Sequence, residues 1–134
     1  MKELRYFRMW LALGVGMVLV IAYLSLMPSP PSPVSFAHVD KIEHCLAYAV
    51  LMIWFVQLFE RSWHIGVLVA LLSFSIGIEV LQGLGGFRVF DIWDIMANLS
   101  GLGLGWACGG TKVAHALARY ENLMILQRKR IDDR

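Results

Sequence analysis

The chain has 134 residues, of which 58% are apolar and only 16% charged, with a formal net charge of +2. Its length is that of one domain, and its charged fraction falls well below the roughly one quarter of an ordinary soluble domain, so the composition points to an integral membrane protein. Nucleic-acid binding is excluded, because the basic residues are scattered over ends and loops with no aromatic-interleaved basic surface.

Residues 1–8 carry Lys2, Arg5 and Arg8 against Glu3, and residues 9–27 then run without a charge. That run is long enough for a first transmembrane helix and longer than the apolar core of about 7 to 15 residues in a signal peptide. The prolines over residues 28–33 cannot continue a helix, since proline lacks an amide hydrogen and holds its predecessor extended; a stiff outer link is expected there. A second helix starts at Asp40, placed as an N-cap with Glu43 three residues on, and has its apolar body over residues 45–59. Glu60, Arg61, Ser62, Trp63 and His64 form a polar turn, with Trp63 at the interface. A third span over residues 65–84 carries no charge until Glu79.

Past the glycine-rich turn at residues 83–86, a fourth span begins near Ile92 and ends at Gly109 and Gly110. Within it Gly101, Gly105 and Gly109 repeat at four-residue spacing, which lets a neighbouring helix approach closely. Residues 111–134 form a basic tail with Val113, Leu117, Tyr120 and Met124 at helical spacing, the pattern of an amphipathic helix lying on a membrane surface. The expected fold is therefore all-α: a bundle of four transmembrane helices over residues 1–110, then a tail helix over residues 111–134. Cys45 and Cys108 fall at opposite ends of such a bundle. A hydrocarbon core about 30 Å thick separates them, whereas a disulfide needs Cα atoms within about 7 Å, so both are expected as free thiols.

Four spans put both termini on one side, together with Lys2, Arg5, Arg8, Arg61, Lys112, Arg119, Arg128, Lys129, Arg130 and Arg134, which is 10 of the 12 basic residues. Only Lys41 and Arg88 fall on the other side. The positive-inside rule then makes the termini cytoplasmic and turns the ends near Lys41 and Arg88 outward.

Those outward ends carry the chemistry. Asp40, His44 and Tyr48 recur every four residues, Glu79 and Gln82 are three apart, and Asp91, Asp94 and Asn98 are spaced three and four, so each set shares a helix face. A carboxylate near mid-bilayer costs roughly 2.5 to 3.5 kcal/mol, and residues kept there at that cost pair with one another, line a wet cavity, or do both. Lys41, His44 and Arg88 are the cations available to Glu79 and its neighbours. His38, His64 and His115 sit at loops or interfaces and are expected to be solvated; Trp10, Trp63 and Trp93 fall at boundaries, as anchors do.

The run from Asp40 through Glu43, His44 and Tyr48, then Glu79 with Gln82, then Arg88, Asp91 and Asp94, then Ala97-Asn98-Leu99-Ser100-Gly101 with Gly105, resembles the VanZ-like family of small bacterial membrane proteins. The likeness extends over about residues 24–108, with Ser25-Leu26-Met27-Pro28 matching the family's exit from its first span. It implies a bacterial inner-membrane, cell-envelope protein. Members are associated with low-level resistance to teicoplanin-type glycopeptide antibiotics, although many occur where no resistance cluster exists.

Three readings of the polar residues follow. The first is a buried ion-pair network, Glu79 with Arg88 or His44 and Asp94 with Lys41, that fixes helix positions. The second is a divalent metal, which carboxylates and a histidine accept; no compact motif such as paired histidines on one helix singles it out, so it is not favoured and any cofactor stays open. The third is a lipid-binding pocket of Asp40, Lys41, His44, Tyr48, Glu79, Gln82, Arg88, Asp91, Asp94 and Asn98, in which Lys41, His44 and Arg88 hold a phosphate of a membrane lipid or lipid-linked cell-wall precursor. The leading expectation is a protein that binds such a lipid. A hydrolase or transferase using Glu79, Asp94 or His44 as catalytic groups, and a structural partner docking on a membrane protein or a second copy through the glycine face, are the other classes.

Overall fold

The computed structural model describes residues 4–27, 39–86 and 90–132. The proline-rich link over residues 28–33, His38 and Arg88 lie outside these stretches. The described residues form five α-helices in order: α1 (Phe7–Ser25), α2 (Val39–Leu58), α3 (His64–Gly85), α4 (Ile92–Cys108) and α5 (Ala116–Asp132), with 3-10 turns at Arg61–Trp63 and Lys112–His115. There is no strand among the described residues, so the all-α expectation holds. Among the described residues, two helices are long and apolar enough to cross a membrane, α1 and the stretch from Arg61 through α3. The other two expected spans fall short by that measure. Asp40, Lys41 and Glu43 charge the first turns of α2, and α4 has 17 residues where about 20 are needed.

The helices run up and down. Phe7 meets Phe59 edge-on at 6.0 Å and the Trp54 indole donates to the Trp10 carbonyl at 3.1 Å, which sets α1 antiparallel to α2. The Gln82 amide nitrogen donates to the Ser25 carbonyl at 2.6 Å, joining the C-terminal ends of α1 and α3. Lys41 at the start of α2 reaches Asp91 and Asp94 at the start of α4. One end of the bundle thus gathers the last turns of α1 and α3 and the first turns of α2 and α4.

The most intimate pair is α2 with α4, parallel neighbours. A Cβ on Gly101 would stand 2.9 Å from the Cys45 carbonyl carbon and closer still to its oxygen; one on Gly105 would stand 2.6 Å from the Met52 Cβ and 2.7 Å from the Ala49 oxygen. Only hydrogen fits at these positions, so the small-residue face of α4 is filled by α2 within the chain. Gly86, at a φ of 72°, ends α3 in the left-handed conformation that a residue without Cβ adopts at no cost.

Polarity is arranged inside out. Leu51, Met52, Val56, Leu58 and Leu102 are fully enclosed, but so are Ser75, Glu79, Gln82 and Asn98, while Leu19, Tyr23, Leu46, Leu84 and Leu104 stand exposed. An apolar exterior over an interior of paired polar groups is the arrangement a lipid surrounding imposes, and the chain is a membrane protein.

Four local expectations change. Helix α2 begins at Val39, so Asp40 lies within its first turn and not ahead of it, and its carboxylate takes the Lys41 ammonium at 2.9 Å together with the amides of Asp40 and Lys41. His64 is buried, not solvated: its Nε2 stands 3.1 Å from the Phe59 carbonyl, closing the turn between α2 and α3. Trp10 is no free interfacial anchor, because Glu121 accepts its indole hydrogen at 2.7 Å together with the amides of Arg5 and Tyr6 at 2.7 and 3.0 Å. That carboxylate fastens α5 across the start of α1. The residues of the tail turned inward are Ala114, Leu117, Ala118 and Glu121, while Val113, Tyr120 and Met124 of the expected apolar stripe are exposed. Trp63, Trp93 and His115 are exposed and Cys45 and Cys108 are free thiols, as expected.

Candidate functional site

The shared end of α1–α4 holds a connected polar cluster. Lys41, from the first turn of α2, extends its ammonium among three carboxylates: Asp40 at 2.9 Å, Asp91 at 2.5 Å, and Asp94 in a closer contact still. Asp91 is the N-cap of α4, its carboxylate accepting from the Trp93 amide at 2.9 Å. The lysine and that amide hold the Asp91 carboxyl below the usual aspartate range.

Below this mouth the side chains close in. His44, one turn along α2 from Lys41, places Nε2 3.6 Å from Asp94 Oδ2 and Nδ1 3.2 Å from Asn98 Oδ1. The Asn98 amide nitrogen donates to the Ser75 hydroxyl at 2.7 Å, and Tyr48 hydrogen-bonds the same hydroxyl. Glu79, 1% exposed, accepts from the Asp91 amide at 3.4 Å. One ligand atom from each of His44, Glu79 and Asp94 lies within 4.8 Å of the others. The cluster runs from Asp40 and Asp91, whose side chains are 44% and 35% exposed, down to Asp94 at 4%.

Of the ten expected site residues, Asp40, Lys41, His44, Tyr48, Glu79, Asp91, Asp94 and Asn98 come together. Gln82 is spent on the Ser25 carbonyl, where it ties α3 to α1. Arg88 lies outside the described residues. The Asp94–Lys41 pairing is the expected one, but Lys41 is shared among three carboxylates and is not the uncommitted cation that a phosphate site needs. Ser75 is the residue that sequence reasoning passed over. It stands four residues before Glu79 and seven before Gln82, so the face that holds those two holds it as well.

A separate cavity of about 710 Å³ lies at the far end of the molecule, where Arg5, Tyr6 and Trp10 face Tyr120, Met124 and Arg128 of α5. No residue of the polar cluster lines it.

A family model described as VanZ/LLP1 matches residues 14–112, a stretch that contains the whole cluster. The chain is also similar to a Schizosaccharomyces pombe protein named "Uncharacterized protein C11E3.10", 31% identical over 98 residues. That match covers 70% of this chain and 58% of the fungal protein, so the chain spans little more than half of that relative's length. No solved structure matches it.

Proposed function

The chain belongs to the VanZ-like family, and from that membership we propose that it binds the head group of a membrane lipid at the outer end of the bundle, as a four-span protein of a bacterial cytoplasmic membrane. The observation that carries this reading is the graded cluster: exposed at Asp40 and Asp91, closed at Asp94 and Glu79, and set in a protein whose outer surface is apolar. A lipid can slide its chains along such a surface while its head enters sideways. The cluster offers mostly acceptors, since Lys41 is shared by three carboxylates, and that favours a head group bearing donors, an ammonium or sugar hydroxyls, over a bare phosphate. The basic termini and the Arg61 turn support a cytoplasmic location for both ends.

Native mass spectrometry of the full chain in gentle detergent tests this, wild type beside Asp94→Asn. A defined lipid adduct in the wild type that is lost in the variant supports the reading. Bare protein in both samples, with equal helical circular dichroism, refutes it. If the adduct is a lipid-linked wall precursor, raised expression should change teicoplanin susceptibility; a phospholipid adduct predicts no change. A second reading, a hydrolase or transferase in which Glu79, Asp94 or His44 moves a proton, is favoured by the approach of His44 to Asp94. It predicts that Glu79→Gln keeps the adduct but stops its conversion.

A further inference from the structure

We infer that the groove between the start of α1 and α5 is a binding site for an anionic phospholipid, at the opposite end of the bundle from the polar cluster. The groove exists because Glu121, 4% exposed, accepts from the amides of Arg5 and Tyr6 and from the Trp10 indole, which holds α5 across the start of α1. The cavity of about 710 Å³ left between the two helices falls within the roughly 300 to 1,000 Å³ of ligand sites.

Three observations select the occupant. The first is charge. Arg5 lines the groove from the α1 side and Arg128 and Lys129 from α5, and none of the described residues that line it is acidic. Glu121 turns both oxygens to the start of α1 and is not part of the lining. The Arg5 guanidinium stands 5.9 Å from the centre of the Tyr6 ring, close enough for the ring to hold it. Folding thus brings cations of two helices to one groove, where an anion between them relieves their repulsion, and forked guanidinium donors suit a phosphate.

The second is depth. Trp10 and Tyr120 meet edge-on at 6.2 Å and line the groove together with Tyr6. Tryptophan and tyrosine settle at the head-group level of a bilayer, and these lie where the basic start of the chain gives way to the apolar run of α1. The third is a path for acyl chains. Met9 lines the groove, and Leu13, Gly16 and Val20 follow it at steps of four, three and four residues along one face of α1. Met9, Leu13 and Val20 are exposed and a Cβ on Gly16 would meet nothing within 4 Å, so that face is open along its length. A soluble anion would use the cations alone, whereas a lipid uses both the cations and this face.

Full-length protein in gentle detergent with equal amounts of phosphatidylglycerol, which is anionic, and phosphatidylcholine, which is not, provides the test, with retained lipid identified by native mass spectrometry. The wild type is expected to hold phosphatidylglycerol in preference to phosphatidylcholine. The triple variant Arg5→Gln, Arg128→Gln, Lys129→Gln should lower that preference roughly tenfold, the worth of one charge-assisted hydrogen bond. The triple variant Lys112→Gln, Arg119→Gln, Arg130→Gln removes the same charge from residues that do not line the groove, and should leave the preference largely intact. Arg128→Gln alone, at an exposed position, should give part of the loss and serves if the first triple variant melts early. Equal losses in the two triple variants overturn the inference, because diffuse surface charge would then suffice, and so does no loss in either. Soluble glycerol phosphate that competes as strongly as the lipid overturns it too, since the acyl chains would contribute nothing. Asp94→Asn should keep the phosphatidylglycerol; its loss there would place the lipid at the other end of the bundle. The groove and the head-group site proposed at that end therefore stand or fall separately.

Discussion

The contact between α2 and α4 sets the positions of Lys41 and His44 relative to Asp94 and Asn98, so a single methyl group between those helices should disturb both stability and the site. Gly101→Ala supplies that methyl. Its Cβ would stand 2.9 Å from the Cys45 carbonyl carbon and 3.0 Å from the Ala49 nitrogen, both backbone atoms that no rotamer change can move. Ordinary contact begins near 3.4 Å, so α4 must retreat by about 0.5 Å from that carbon and further from the carbonyl oxygen. Overpacking of this kind costs about 1 to 3 kcal/mol. Gly103→Ala is the matched control, because a Cβ there meets nothing within 4 Å. Both substitutions gain the same helix preference of alanine over glycine, about 0.5 to 1 kcal/mol, so the difference between them isolates the packing. Thermal unfolding followed by circular dichroism in one detergent should show Gly101→Ala melting below Gly103→Ala by an amount equivalent to about 1 to 3 kcal/mol. Asn98 lies one turn from the added methyl, so lipid retention should fall in the same variant. If the two variants melt together, α2 and α4 do not meet as closely as described and the argument fails.

Lys41→Met leaves Asp94 without its lysine. The loss should be about 1 to 3 kcal/mol, between the limits for exposed and buried pairs because the lysine sits at a half-open mouth, and Lys41→Arg should recover part of it; unchanged melting of Lys41→Met counts against the pairing. Asp91 has a folded-state pKa below its unfolded value of about 3.9, so its contribution is fully present above that value and is lost as pH falls through the folded pKa. Asp91→Asn keeps an N-cap side chain but not the charge, and should flatten the fall in melting temperature below about pH 4; an equally steep acid limb in the variant would count against the assignment. Glu121→Leu strips the acceptor from the amides of Arg5 and Tyr6 and from the Trp10 indole, at about 1 to 3 kcal/mol. Limited proteolysis should then clip the tail faster than in the wild type, and an unchanged rate would mean that α5 is held by other contacts.

Local periodicity and composition carry the helical elements, because the features that make a membrane helix act within one segment. The uncharged run before the prolines, the polar turn at Arg61–Trp63 and the start of α4 at Ile92 are all local. The family likeness was legible for the same reason: Asp40 to Tyr48, Glu79 with Gln82 and Asp91 to Asn98 each keep their spacing on one helix face. Those spacings sufficed to nominate Lys41 for Asp94, since the alternation of spans brings the first turns of α2 and α4 to one side.

What the tertiary structure decided are choices among partners of similar type. Gln82 and Asn98 look alike in sequence, yet one ties α3 to Ser25 of α1 and the other bridges Ser75 and His44. His64 reads as a loop histidine until the turn folds its ring onto Phe59, and Glu121, which no pattern in the sequence singles out, is buried where α5 crosses the start of α1. The sequence could list carboxylates and a histidine but not say which of them meet, because contacts are defined by distance and by the direction each side chain takes. Both depend on how closely α4 lies against α2, and that approach is fixed by contacts between residues more than fifty positions apart at Gly101 and Gly105. By itself the sequence determined the helices, their polar faces and the family; only packing decided which polar atoms meet, because a hydrogen bond or an ion pair is set by tenths of an ångström across helices that no local pattern measures.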